Sequence, residues 1–98
     1  MRQSETEIQR EIVESLRLAG ALVFRMNAGK GKANQHLHPA GTPDLFVIAR
    51  HGQTVWMEVK TPSGHIREAQ REMHVELEQR GQRVVVVRSV ERALMEVA

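Results

Sequence analysis

The sequence predicts an α/β fold in the order αβββαβα, and three observations carry that prediction. Two stretches repeat apolar residues at helical spacing. Four short runs are dominated by apolar residues, the last of them by valine alone, and glycines stand where one kind of stretch gives way to the next.

From Ser4 to Ala19 the residues Ile8, Ile12, Leu16 and Ala19 recur at helical spacing, and Gly20 supplies the stop. On this helix Glu5 projects into the middle of the apolar stripe and Gln9 onto its edge, while Glu7, Glu11 and Glu14 fall on the opposite side. Glu5 is the carboxylate out of place, unless it serves only the positive end of the helix dipole in the first turn. Ala21 to Met26 reads as a strand, and Asn27 to Pro43 as a long polar loop with Lys30 and Lys32 set between glycines. Leu45 to Ala49 and Val55 to Lys60 read as strands of a hairpin with Gly52 in its turn. Ile66 to Arg80 is a second helix whose stripe holds Ile66, Met73 and Leu77, with Gln70 among them and Gly81 at its end. Arg83 to Arg88 contains four successive valines, the composition of a strand buried on both faces, and Val90 to Val97 reads as a short last helix.

Ninety-eight residues, 41% of them apolar, suffice for one modest core, so residues 1–98 are expected to form a single domain. The absence of cysteine excludes disulfides and thiolate metal sites. No apolar run approaches the ~20 residues that a membrane span needs, and the first residues lack the apolar core of a signal peptide. A soluble protein of the cytoplasm, with no membrane partner, is the expectation. A net charge of +2, 14 basic residues and an isoelectric point of about 9.7 lean toward a polyanionic partner without demanding one. Aromatic residues at 3% argue against a protein that stacks successive single-strand bases.

Charged residues inside strands need solvent, a partner or a metal. In "VWMEVK" the side chains alternate, so Trp56, Glu58 and Lys60 share one face and Val55, Met57 and Val59 the other. Asp44 opens the preceding strand in "GTPDLFVI", and simple hairpin register brings its carboxylate toward Glu58. Two such carboxylates suit a hard divalent cation such as magnesium, which takes oxygen ligands and is usually held by one or two carboxylates together with substrate phosphate. Lys60 would then position water or offset charge growing on a phosphate. The alternative is an exposed hairpin with an ordinary Glu58–Lys60 pair.

Other signals are weaker. His36 and His38 have no partners at zinc-site spacing and read as loop residues. "GKGK" lacks the pattern of a phosphate-binding loop, so no nucleotide cofactor is expected. Arg25, Lys30 and Lys32 are candidate contacts to DNA phosphates, or else solvated surface charge. Trp56 is read as a core anchor beneath the site, with base stacking as the alternative.

The combination "GTPD" with "EVK" resembles the PD-(D/E)XK nuclease motif, and αβββαβ is the order of that superfamily's core. More narrowly, "SETEIQ", "GTPDLFVI", "WMEVKTPSG", Gln70 and "GQRVVVVRS" resemble the VRR-NUC domain family across nearly the whole chain. The valine-arginine-arginine of the family's name appears as Val87-Arg88-Ser89, which puts any role of the second arginine in doubt. The resemblance implies a restriction-endonuclease-like core, a mixed central sheet flanked by helices. It implies a Mg2+- or Mn2+-dependent endonuclease with Asp44, Glu58 and the Val59 carbonyl as metal ligands and Lys60 as the catalytic lysine. The first-helix acid would be Glu5, with Glu7 matching almost as well, and Gln70 would support the site. Stand-alone members of this length are similar to phage and prophage proteins, and some act as homodimers on branched DNA such as four-way junctions. The valine-rich strand or the last helix would supply such a dimer's interface. Two other readings stand beside this one: a non-catalytic DNA- or protein-binding module that keeps the fold, and a nuclease acting on ordinary duplex.

Overall fold

Ser4 starts the architecture. Its hydroxyl accepts the Glu7 N–H at 3.1 Å while the Glu7 carboxylate accepts the Ser4 N–H at 3.2 Å, a capping box that satisfies donors no helical carbonyl can reach. In the computed structural model, which describes residues 3–26 and 38–98, this box opens helix α1, Glu5–Leu18. Strand β1, Leu22–Arg25, follows, then β2, Leu45–Ile48, and β3, Thr54–Val59. Helix α2, Glu68–Gln79, crosses to strand β4, Val84–Val87, and helix α3, Val90–Glu96, closes the series. The strands lie in the order β1-β2-β3-β4, the first two pairings antiparallel and the last parallel. A parallel neighbour requires a crossover connection, and α2 provides it. The result is the α/β class the sequence predicts, a mixed four-stranded sheet flanked by helices.

Alternation along the strands divides the sheet into two unlike faces. Val23, Leu45, Val47, Val55, Met57, Val59 and Val87 point to one side, where Ile8, Ile12, Val13 and Leu16 of α1 and Ala93 of α3 bury them in one continuous apolar core. The opposite face carries Phe24, Phe46 and Trp56 in a row, their ring centroids 6.2 and 4.7 Å apart, and then Glu58. Helix α2 sits over the Glu58 end of this face. Gly52, at φ +101°, turns the β2–β3 hairpin in a conformation that L side chains rarely adopt.

Several sequence expectations change. The buried stripe of α1 includes Val13, whereas Ala19 is the exposed C-cap. Gln9 is buried rather than marginal. The second helix begins at Glu68 because Arg67 is its N-cap, held extended with its N–H bonded to the Gln70 side chain at 2.9 Å; Ile66 precedes the helix. The four valines do not form a strand buried on both faces: β4 is an edge strand, only Val87 is fully buried, and the helix above it buries none of its own residues. Trp56 lies outside the α1-side core, half-buried in the aromatic row with its indole N–H on the Gln82 side chain at 3.3 Å. No helix among the described residues is long and apolar enough to cross a membrane.

Ile12 is fully buried between α1 and the sheet. Ile12→Ala should therefore lower stability by about 2–5 kcal/mol, read from the urea midpoint, because the rigid sheet cannot collapse into the space left behind.

Candidate functional site

The pairing of β2 with β3 builds the site. Leu45 lies opposite Met57, so the same register continued places Asp44 opposite Glu58 and Pro43 opposite Val59. The Ala49 N–H donates to the Gln53 carbonyl at 2.8 Å, which fixes the alternation of the ladder and makes the Pro43–Val59 pair a hydrogen-bonding position. Proline has no N–H to give, so the Val59 carbonyl receives no donor from Pro43. The Val59 N–H is taken instead by Asp44 Oδ2 at 2.8 Å. The proline before the aspartate thus ends the ladder and leaves a carbonyl at the same end as the Asp44 carboxylate.

Glu58 is fully buried, and three side chains converge on it. Gln70 Nε2 donates to Oε2 at 3.4 Å, His74 Nε2 lies 3.2 Å from Oε1, and the Asp44 carboxyl shares a hydrogen bond with it. Burial, then the Asp44 hydrogen bond and charge, push Glu58 up to about 9, with Glu5 adding to the rise and the Lys60 ammonium opposing it. The carboxyl pair accordingly holds a proton at neutral pH when nothing else neutralises it. Burial also lowers His74 below the usual imidazole range. Lys60 is buried as well, its backbone N–H tied to the Val87 carbonyl of β4 at 3.0 Å.

The two first-helix acids separate in the structure. Glu7 is engaged in the capping box, where the Ser4 hydrogen bonds hold its carboxyl below the ordinary value. Glu5 is exposed, and its charge is felt at Glu58. Asp44, Glu58, Lys60 and Gln70 therefore come together, with Glu5 at the margin. Arg25 is exposed at the end of β1. Lys30, Lys32 and His36 lie outside the described residues; His38 is half-buried. Among the described residues no three histidine, aspartate or glutamate side chains gather as a metal-binding group. The oxygen donors at hand are two carboxylates and a carbonyl, a set that fits a hard divalent ion completed by water and phosphate.

One residue of the neighbourhood escapes a reading by motif, and another of the motif gains a structural task. His74 stands one helical turn beyond Gln70, a spacing that places it on the same stripe. Arg88 Nη1 donates to the carbonyls of Thr61 at 2.7 Å and Gly64 at 2.8 Å, fastening the loop that follows Lys60. The next residue, Ser89, caps α3 by accepting the Arg92 N–H at 3.2 Å, so the position where the family name carries a second arginine here has a capping task.

A buried carboxylate pair with a lysine two residues beyond the second acid, on a mixed sheet of this order, defines a nuclease-fold α/β domain. The sequence model of the VRR-NUC domain matches residues 2–91, and the chain belongs to the VRR-NUC domain family. A solved structure described as a VRR_NUC domain is 27% identical, with 94% of each chain covered and a TM-score of 0.71. A second, described as a VRR_NUC domain protein, shares the fold at 23% identity and a TM-score of 0.73, over 99% of this chain and 87% of that one. No curated protein matches. Membership implies a DNA-processing nuclease domain, of a superfamily that generally uses divalent metals.

Two outcomes are expected from this geometry. Because the folded value of Glu58 lies above its ordinary 4.5, the folded state binds the extra proton, so this stabilisation is complete on the acid side of 4.5 and is lost as pH rises toward about 9. Urea midpoints of chelator-treated protein should fall across that window, and Glu58→Gln should flatten the decline. Gly41 has φ +82°, and a Cβ there would stand 2.1 Å from the Ala69 carbonyl oxygen. Gly41→Ala should cost at least about 2 kcal/mol, from left-handed strain and overpacking together, seen as a lowered Tm.

Proposed function

We propose that this protein is a Mg2+- or Mn2+-dependent DNA endonuclease that cuts branched DNA, such as four-way junctions, as a homodimer in the cytoplasm, the whole chain acting as one domain. The observation that carries the reading is the buried Asp44–Glu58 pair, which retains a proton where a cation would serve, with Lys60 beside it. Asp44, Glu58 and the Val59 carbonyl would hold the ion, with Glu5 as an outer acid. When bound, such an ion supplies Lewis acidity toward a phosphodiester oxygen and lowers the pKa of water. Asp44 is pre-set by the Val59 N–H, and Gln70 orients Glu58 while its own Oε1 is fixed by the Arg67 N–H. Lys60, held in the dry end of the sheet, places a positive charge to offset the charge that develops on the phosphate. Arg25, Lys30 and Lys32 would contact phosphates away from the scissile bond. A twofold dimer would offer one site to each strand of a symmetric junction.

The test uses end-labelled four-way junction and linear duplex of matched arms, each with Mg2+ or chelator, alongside light scattering for mass. Symmetric nicks on the junction that require the metal, and fall by about 100-fold or more in Lys60→Ala, are expected, with a dimeric mass. Equal cutting of both substrates removes branch selectivity, and a monomer that still cuts removes the dimer. No cutting with Mg2+ or Mn2+ leaves a binding module.

A further inference from the structure

We infer that His74 is a positioning residue for Glu58, gripping the carboxylate oxygen that Gln70 does not reach, so that α2 sets the plane of the glutamate before a metal arrives. The inference rests on the metal-dependent reading above and adds a residue to it. Glu58 is fully buried and must be oriented by protein groups alone. Gln70 is an incomplete anchor: its Oε1 is committed to the Arg67 N–H at 2.9 Å, and its Nε2 reaches Glu58 Oε2 only at 3.4 Å. His74, one turn later, lies 3.2 Å from the other oxygen, Oε1, with its side chain 13% exposed. The two side chains thus divide the two oxygens between them.

The chemistry assigns the direction of that contact. Once a cation has replaced the Glu58 proton the glutamate is acceptor-only, and His74 Nε2 then carries the hydrogen. An apolar side chain of similar size would fill the space equally well but leave Oε1 without that donor. Helix α2 buries none of its own residues, so its alignment over the sheet depends on these polar contacts more than a well-buried helix would. Outer-shell partners of this kind typically contribute about 10- to 100-fold to metal affinity or activity.

The test compares wild type, His74→Phe, His74→Gln and Glu58→Gln, each confirmed folded by circular dichroism. Mn2+ binding without DNA is followed by calorimetry, and junction cleavage across a Mn2+ titration. His74→Phe should weaken Mn2+ binding by about 10- to 100-fold and shift half-maximal cleavage to higher Mn2+, with kcat at saturating metal reduced less. His74→Gln, which restores an N–H donor, should recover most of the affinity. Wild-type binding in His74→Phe overturns the inference while leaving the nuclease reading intact, and so does a His74→Gln variant as weak as His74→Phe, since packing alone would then explain both. Wild type that neither binds Mn2+ nor cuts overturns the nuclease reading and this inference with it.

Discussion

Two carboxylates buried side by side are the condition around which this small domain is arranged. Moving an ionised carboxylate out of water is among the least favourable things a fold can do, and placing a second beside it adds repulsion. Here the conflict is contained by specific groups. Asp44 is satisfied by the Val59 N–H, where the ladder ends at Pro43, and Glu58 is held by Gln70, His74 and a proton. Replacing the pair with apolar side chains would simplify the packing, so their retention is a statement about chemistry, bought with stability.

The sheet makes this tolerable by keeping its two jobs on different faces. All of the continuous apolar core lies on the side of α1 and α3, where Ile12, Leu16, Leu45, Val47, Met57 and Val59 are sealed. The other side holds the acids, a row of aromatic rings and a helix with no buried residue. Cohesion therefore comes from one face and the candidate site lies on the other, with β3 contributing alternate residues to each. Lys60 extends this division past the end of the strand, and Arg88 fixes the loop beyond it.

Much of this was legible in the residues. The two-residue alternation of "VWMEVK" assigns Glu58 and Lys60 to one face, and the 3.6-residue period sets Glu5 and Glu7 on different sides of the first helix, although motif matching leaves both open as its acid. Element order followed from apolar spacing and glycine stops. What could not be read has physical reasons. A run of valines reports apolar character but not how many layers cover it, so its composition predicts burial on both faces when only Val87 is sealed. The parallel pairing of β3 with β4 depends on where α2 crosses, and the effect of Pro43 on Val59 depends on register, neither of which is local. His74 carries no signature in the sequence, because one histidine on a helix has many ordinary uses, and only its distance to Glu58 distinguishes this one.

The close approach of Gly41 to the Ala69 carbonyl has a mechanical meaning. The turn that aims Asp44 and the first turn of α2, which carries Gln70, touch backbone to backbone with no side chain between them. Flexible atoms that would absorb a displacement are missing at that point, so tilting the helix also presses on the loop. The hairpin's acid and the helix's anchors are thus tied through main chain at this one point, Gly41 preceding Asp44 in the same turn and Ala69 standing next to Gln70.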